Sequence, residues 1–410
     1  MMSILYNISI RGYNFLIYLT AIFGNTKAKK IVAGRKTIYK DIDKNISAND
    51  RVMWFHCASL GEFEQGRPVI EDIKKNHPNI KIVVSFFSPS GYEVRKNYAQ
   101  ADCVIYLPSD THRHAKRLIK AIHPEKAFFI KYEFWFNIIS ELKKNNIPVY
   151  NISGIFRKNQ YFFKWYSTWF RKQLFKIDTF FVQNKESYNL IEKYASHKAI
   201  ITGDTRFDRV FDIAQNTKQF NDIKAFKGDT PLFLAGSSWP ADEKHFLDTV
   251  VKQVEDKKVK LIIAPHEIHQ SRIDALRAAL PTNTACYSEK KDLNNIDILI
   301  IDSIGILYHL YQYADIAYIG GGFGVGIHNT LEAATFGLPI IFGPNYQKFN
   351  EAKDLISIGA AFPIKNSSDF NTIFSKLNTD TTYREETGKK AKDFILQQKG
   401  GTKIILEKII

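Results

Sequence analysis

The stretch RVMWFHCASLGEFEQGRPVIEDIKK, residues 51–75, decides the fold. Val52 to Cys57 is an apolar run of strand-favouring residues, closed by the turn Ala58-Ser59-Leu60-Gly61. Beyond the turn, Phe63, Val69, Ile70 and Ile73 mark the apolar face of a helix. A buried strand running through a short turn into such a helix is the opening half of a βαβ unit. Glu62 then stands at the carboxyl end of the strand and in the first turn of the helix. In open α/β sheets that crevice is where ligands bind. Ser59-x-x-Glu62 also fits a capping box, in which the serine caps the helix and the glutamate reaches back to the cap amide. A carboxylate in the same place can serve as a general base. Local spacing leaves both readings open.

The alternation continues along the chain. Apolar runs at 80–87, 103–107, 127–131, 148–152 and 179–183 each end in a turn. After the charged stretch Asp212 to Asp229, runs at 231–235, 259–264, 296–301, 316–319 and 339–342 repeat the pattern. Strands alternating with helices predict parallel, doubly wound sheets, and 410 residues give room for two such domains. The expected division is an N-terminal membrane anchor or interfacial helix at 1–36, a first Rossmann-like domain at 37–211, a linker at 212–229 and a second Rossmann-like domain at 230–410.

A formal net charge of +15 favours a polyanionic partner. With no zinc-finger or RNA-recognition signature, an anionic membrane or a phosphorylated substrate is preferred to nucleic acid. Cys57, Cys103 and Cys286 are far apart and odd in number, which gives neither a metal-ligand spacing nor a disulfide framework and fits a reducing compartment. Residues 3–23 are rich in Ile, Leu, Tyr and Phe and are followed by Lys27, Lys29, Lys30, Arg35 and Lys36. Charge behind an apolar segment is not the order of a cleaved signal. Asn7, Arg11 and Asn14 suit an interfacial helix better than a deep span, and the basic residues would keep that side cytoplasmic. A helix packed on its own domain is the competing reading. Residues 157–176, RKNQYFFKWYSTWFRKQLFK, interleave aromatics with basic residues; they read equally as core aromatics with a solvated face or as a patch meeting lipid and phosphate.

A second centre is the glycine-rich turn GGGFGVG, residues 320–326, between a strand and the helix entered through His328-Asn329-Thr330-Leu331-Glu332. Bare amides and a helix start predict an anion site. The spacing is neither the dinucleotide fingerprint nor a P-loop. A tight turn for close packing is the plainer alternative, as an ordinary exposed helix glutamate is for Glu332. Two Rossmann-like domains, an acid in the first and a phosphate cradle in the second, suggest the GT-B plan, with the domains facing a central cleft, acceptor on the first and nucleotide-sugar on the second.

Taken in order, HCASLGEFEQGRPVI (56–70), SFFSPSGYE (85–93), YLPSD (106–110), KYEFWFNII (131–139), GDTRFD (203–208), GSSWPADE (236–243) and GGGFGVGIHNTLEAATFGLPIIFGPNYQKFNEA (320–352) resemble the Kdo transferases. These move 3-deoxy-D-manno-octulosonic acid (Kdo) from CMP-Kdo to the lipid A precursor. The resemblance implies that Glu62 is the general base for an acceptor hydroxyl and that Glu133 and Arg206 act on the transition state. Arg206 stands where the family usually has lysine, which keeps the charge and changes its geometry. It places CMP contacts on Pro265 and His266, on Ile304, Gly305 and Ile306, and on Asn329, Thr330, Leu331 and Glu332. The family's Pro-Arg-His is shortened here to Pro265-His266, leaving Arg272 or His269 to replace the missing guanidinium. Gly305-Ile306 replaces a common Gly-Glu, and Thr330 a common proline. The implied reaction is inverting. It needs no cofactor and no metal, since CMP-Kdo carries a single phosphate and no carboxylate cluster is seen. The implied partners are CMP-Kdo, the lipid A precursor and the cytoplasmic face of a bacterial inner membrane, with no nucleic acid. The rivals are another GT-B enzyme, either a UDP-sugar transferase or a sugar-nucleotide epimerase, and a non-catalytic binder of lipid A phosphates.

Overall fold

Val52–Cys57, β1, is buried at every position, as a central parallel strand covered on both faces must be. In the computed structural model, which describes residues 2–289 and 292–410, six more strands join it. They are β2 (Lys81–Phe86), β3 (Cys103–Tyr106), β4 (Lys126–Ile130), β5 (Val149–Gly154), β6 (Thr179–Val182) and β7 (Ala199–Ile201). The order is β3-β2-β1-β4-β5-β6-β7, and every pair is parallel. A second parallel sheet contains β8 (Leu232–Ser238), β9 (Lys260–Pro265), β10 (Thr284–Cys286), β11 (Ile298–Ile300), β12 (Ile316–Ile319), β13 (Ile340–Phe342) and β14 (Ala361–Pro363), in the order β10-β11-β9-β8-β12-β13-β14. Each sheet reverses its winding once, between β1 and β4 and between β8 and β12. Helices leaving the two strands on either side of a reversal diverge and open a crevice at the carboxyl edge.

The chain forms two compact units, one ending at Asp208 and regaining Lys399–Ile410, the other spanning Arg209–Gln398. The expected ranges 1–36 and 230–410 each include residues outside the described set. The final helix, Gly401–Ile409, belongs to the first unit, not to the second as the range 230–410 has it. Its Ile405 and Ile409 lie in the same core as Phe63, Val69 and Ile73. Asp208 fastens the returning chain, accepting from the Thr402 amide and hydroxyl, each at 2.7 Å. Within the expected linker, Asn221–Lys227 is helical, with Ile223 and Phe226 buried.

The first helix, Met2–Ile22, turns Tyr6, Asn7 and Asn14 inward, while Ser9 and Arg11 stay exposed. Asn7 accepts from Asn137 at 3.0 Å, Asn14 from Arg35 at 2.9 Å, and Tyr6 donates to Asp110 at 2.6 Å. Its outer face leaves Ile4, Leu5, Ile8, Phe15 and Leu16 about half or more exposed. No described helix is long and apolar enough to cross a membrane. Within residues 157–176 the core-aromatic reading holds for Phe162, which is buried, whereas Trp165 is 88% exposed.

Candidate active site

Glu62 sits at the β1/β4 crevice, in the first turn of the helix Leu60–Asn76. Neither bond of the expected capping box forms, and the Ser59 side chain caps nothing. The glutamate reaches one residue further back, and its Oε2 accepts from the Ala58 amide at 2.5 Å. Glu62 is 7% exposed. Burial, with Glu133 adding to it, raises its pKa to about 7, against the opposing pull of the Ala58 amide and Lys131. A carboxyl poised there exchanges protons at neutral pH.

Glu133 follows β4, across the crevice. Its Oε2 lies 3.3 Å from His56 Nε2 and 3.3 Å from Trp135 Nε1. His56, fully buried, has Nδ1 3.0 Å from Ser85 Oγ, which accepts from Trp54 Nε1 at 2.9 Å. One arrangement satisfies each donor: Trp54 donates to Ser85, Ser85 to His56 Nδ1, and both His56 Nε2–H and Trp135 to the carboxylate. The Trp135–His56 approach of 3.1 Å is then a contact between two donors that share Glu133. Lys131 has φ +64, and Ser153, at the β5 irregularity, has φ +53. Non-glycine residues held there cost about 1–3 kcal/mol each and gather at functional sites. Asn151 fixes this bend by donating to the carbonyls of Phe129 and Lys131 at 2.9 and 2.7 Å.

Arg206 forms a fork with Asp204, at 3.0 Å through Nε and 2.8 Å through Nη2. Gln65, one turn along the helix from Glu62, donates to the same carboxylate at 2.9 Å. Burial pushes Asp204 up, but Arg206 and Gln65 outweigh it and hold it below the usual carboxylate range. Arg206 is thus fastened to the helix that carries Glu62. The structure therefore gathers Glu62, Glu133 and Arg206 at one edge of the first unit. His56, Lys131 and Trp135 join them without having been singled out. His56 carried a signal, a polar residue in an otherwise apolar strand; the backbone twist at Lys131 carried none.

In the second unit the β8/β12 crevice holds a stack of three rings. His266 lies between Trp239 (4.6 Å between centroids) and His328 (4.4 Å). Trp239 Nε1 donates to His328 Nε2 at 3.2 Å. Burial, reinforced by His266, lowers His328 to about 4, so the ring is neutral at pH 7 and accepts that bond. Next to it, Asn329 donates to Glu332 at 3.0 Å and accepts from the Leu331 amide at 3.1 Å. Thr330 is 1% exposed and its hydroxyl has no partner. Ile304, Gly305 and Ile306 follow β11, two strands from β8; Ile304 is 87% exposed and Gly305 has φ +92. Of the two candidates for the missing guanidinium, Arg272 is paired with Glu243, which also receives the Ser238 hydroxyl. His269 caps the helix Gln270–Ala278.

The glycine-rich turn does not form the open cradle of amides expected of it. The Gly321 and Phe323 amides donate to Asp242 at 2.8 and 3.4 Å, and those of Gly320, Gly324 and Gly326 to Gly236, Gly321 and Gly321. Asp242 is fully buried and also accepts from Tyr318 at 3.1 Å. The glycines serve close packing: a Cβ at Gly322 would lie 2.5 Å from the Gly343 nitrogen. Sequence reasoning passed over Asp242, although it sits in the GSSWPADE segment. Among the described residues no group of three or more His, Cys, Asp or Glu side chains is placed to hold a metal ion.

A family model described as 3-deoxy-D-manno-octulosonic-acid transferase (kdotransferase) matches residues 32–209. A 3-deoxy-D-manno-octulosonic acid transferase from Aquifex aeolicus is 27% identical over 331 residues, covering 79% of this chain and 85% of its own. One from Chlamydophila psittaci is 28% identical over 319 residues, covering 75% and 73%. Among solved structures, the UDP-GlcNAc 2-epimerase from Neisseria meningitidis aligns with a TM-score of 0.58 at 15% identity, over 87% of this chain and 98% of that one. At such identity the likeness is one of fold, the GT-B class that glycosyltransferases and such epimerases share.

Proposed function

We propose that the chain is a member of the 3-deoxy-D-manno-octulosonic acid (Kdo) transferase family, which it resembles, and that it moves Kdo from CMP-Kdo to the lipid A precursor with Glu62 as general base. It is a glycosyltransferase, and Kdo transfer in lipopolysaccharide biosynthesis is its reaction. The observation that carries the mechanistic reading is the buried Glu62 carboxyl at the β1/β4 crevice, with its pKa raised to about 7.

In this reading Glu62 takes the proton of an acceptor hydroxyl as its oxygen attacks the anomeric carbon of Kdo. The bond to the phosphate oxygen breaks on the opposite face, CMP departs with the electron pair, and the configuration inverts. Ala58 orients the carboxyl through its amide. His56 and Trp135 fix Glu133, and Arg206 supplies positive charge as the leaving group becomes more anionic. In the second unit, CMP contacts fall on Pro265, His266, Ile304, Gly305, Ile306, Asn329, Thr330, Leu331 and Glu332. The His266 ring stack and the Asn329–Glu332 pair support the placement of base and ribose there. A single phosphate requires less charge compensation than a pyrophosphate, so the reaction proceeds without a metal. The exposed apolar face of Met2–Ile22, backed by the basic residues that follow, holds the enzyme at the cytoplasmic face of the inner membrane.

Nucleotide preference tests the donor assignment. CMP and CTP should raise the thermal unfolding temperature of the purified protein, and UDP should leave it unchanged. Protection by UDP with none by CMP would transfer the chain to the UDP-sugar enzymes of the same fold.

A further inference from the structure

We propose that the hollow between the helices Met2–Ile22, Thr26–Asn45 and His112–Ile122 is a binding site for a phosphate group, presented by a lipid head group at the membrane surface or by free phosphate. The hollow has a volume of about 580 Å³, and Arg35, Lys36, Lys40 and Arg117 line it, with Asp43 as its one carboxylate. None of the four cations has an ion-pair partner among the described residues. This concentrates positive charge where the fold provides almost nothing to neutralise it.

Arg35 carries the argument furthest. Its guanidinium donates to the Leu107 carbonyl and to Asn14, both at 2.9 Å, and both acceptors are neutral. Burial holds its pKa below the ordinary arginine value. A cation taken out of water costs free energy unless an anion accompanies it. Arg117 lies with its guanidinium carbon 3.6 Å from the centre of the Tyr39 ring. Tyr39 lines the same hollow, and its buried hydroxyl has no hydrogen-bond partner among the described residues. Two guanidinium groups and an unused hydroxyl match the several acceptor oxygens of a phosphate, which arginine binds through paired N–H groups.

The setting favours a phosphate presented by a lipid head group. Asn14 and Tyr18 of the first helix form part of the wall, and the same helix exposes Phe15 and Leu16. The hollow thus lies where an apolar face meets a basic one, the boundary at which lipid phosphates sit. Pro108 and Ser109, just past β3, bring it to the carboxyl edge that also carries Glu62. Arg35 also lies 5.8 Å from the Phe87 ring, which stacks at 5.3 Å on Trp135, the indole that donates to Glu133.

The test uses the full chain and reads binding alone, so it succeeds or fails independently of the transfer reading. Inorganic phosphate is titrated calorimetrically, and flotation is measured with phosphatidylcholine vesicles with and without phosphatidic acid. Arg117→Gln should weaken the response about tenfold, the loss of one charge-assisted contact. Lys120→Gln, which removes the same charge from the same helix outside the hollow, should change it less than about twofold. Arg35→Gln should match Arg117→Gln where circular dichroism shows it folded; the Arg117 comparison stands without it. An Arg117 effect on phosphatidic acid vesicles assigns the site to a head group, and one on inorganic phosphate alone assigns it to free phosphate. Equal losses in Arg117→Gln and Lys120→Gln, or no saturable response to either probe, would overturn the proposal.

Discussion

At Glu62 two requirements conflict. A base must shed its proton near neutral pH, whereas a carboxyl that is 7% exposed resists ionising. A pKa of about 7 is where the two meet, and it leads to two predictions. First, kcat/KM should rise with pH to a plateau, reaching half its maximum near pH 7, and Glu62→Gln should lower the plateau by about 100- to 10,000-fold. Second, the folded-state pKa lies above the ordinary value of 4.5. Well below 4.5 the carboxyl is neutral in both states and its burial carries no charge penalty. Between 4.5 and 7 the unfolded chain releases its proton first, so stability falls as pH rises, and above 7 the loss is complete. Glu62→Gln should therefore be more stable than wild type at pH 8, by up to ~3 kcal/mol, and equal to it at pH 4. Denaturant unfolding at the two pH values checks this, and an unchanged difference would contradict the burial argument. The position of Glu62 was legible because strand, turn and helix were. Its partners were less so: Ser59-x-x-Glu62 fits a capping box that the folded chain does not form, its glutamate accepting from Ala58 instead. Lys131 owes its place to a positive φ that nothing in its sequence announces.

At the scale of elements, the glycine-rich turn is held by Asp242, a carboxylate from the first turn of the helix Pro240–Glu255. Asp242→Asn keeps the shape but aims an amide N–H₂ at backbone N–H groups on at least one side. It should destabilise the second unit by about 1–3 kcal/mol and weaken CMP affinity, while flotation on phosphatidic acid vesicles stays unchanged. Calorimetric unfolding with a CMP titration would reveal a purely local role if affinity held. The anion reading failed here because a run of glycines reports only that backbone comes close, not what it comes close to. Length explains the missed strands. β7, β10 and β14 have three residues each at the edges of their sheets, too few for periodicity to register. The buried central strands β1, β2, β4, β8 and β9 were readable as continuous apolar runs.

For the whole molecule, the inverted helix Met2–Ile22 is the feature that composition could hint at but not resolve. Asn7 and Asn14 looked like flaws in an apolar segment, yet they are its attachments to the first unit. Their inward turn is what leaves the apolar residues outside. Phe15→Ser with Leu16→Ser should thus lower partitioning onto anionic vesicles several-fold, with solution CMP affinity unchanged; unchanged partitioning would remove the helix from the membrane account. The returning helix Gly401–Ile409 was not legible either, since its sequence is amphipathic without saying which sheet it covers.

The central claim is Kdo transfer with Glu62 as base, and product mass tests it most directly. Wild type and Glu62→Gln are incubated with lipid A precursor and CMP-Kdo generated in situ, and the lipid is weighed by mass spectrometry. The account predicts a Kdo increment with wild type and a rate lower by at least about 100-fold with the variant. A wild-type chain that binds CMP yet adds no Kdo, or a variant that adds it at the wild-type rate, would contradict it.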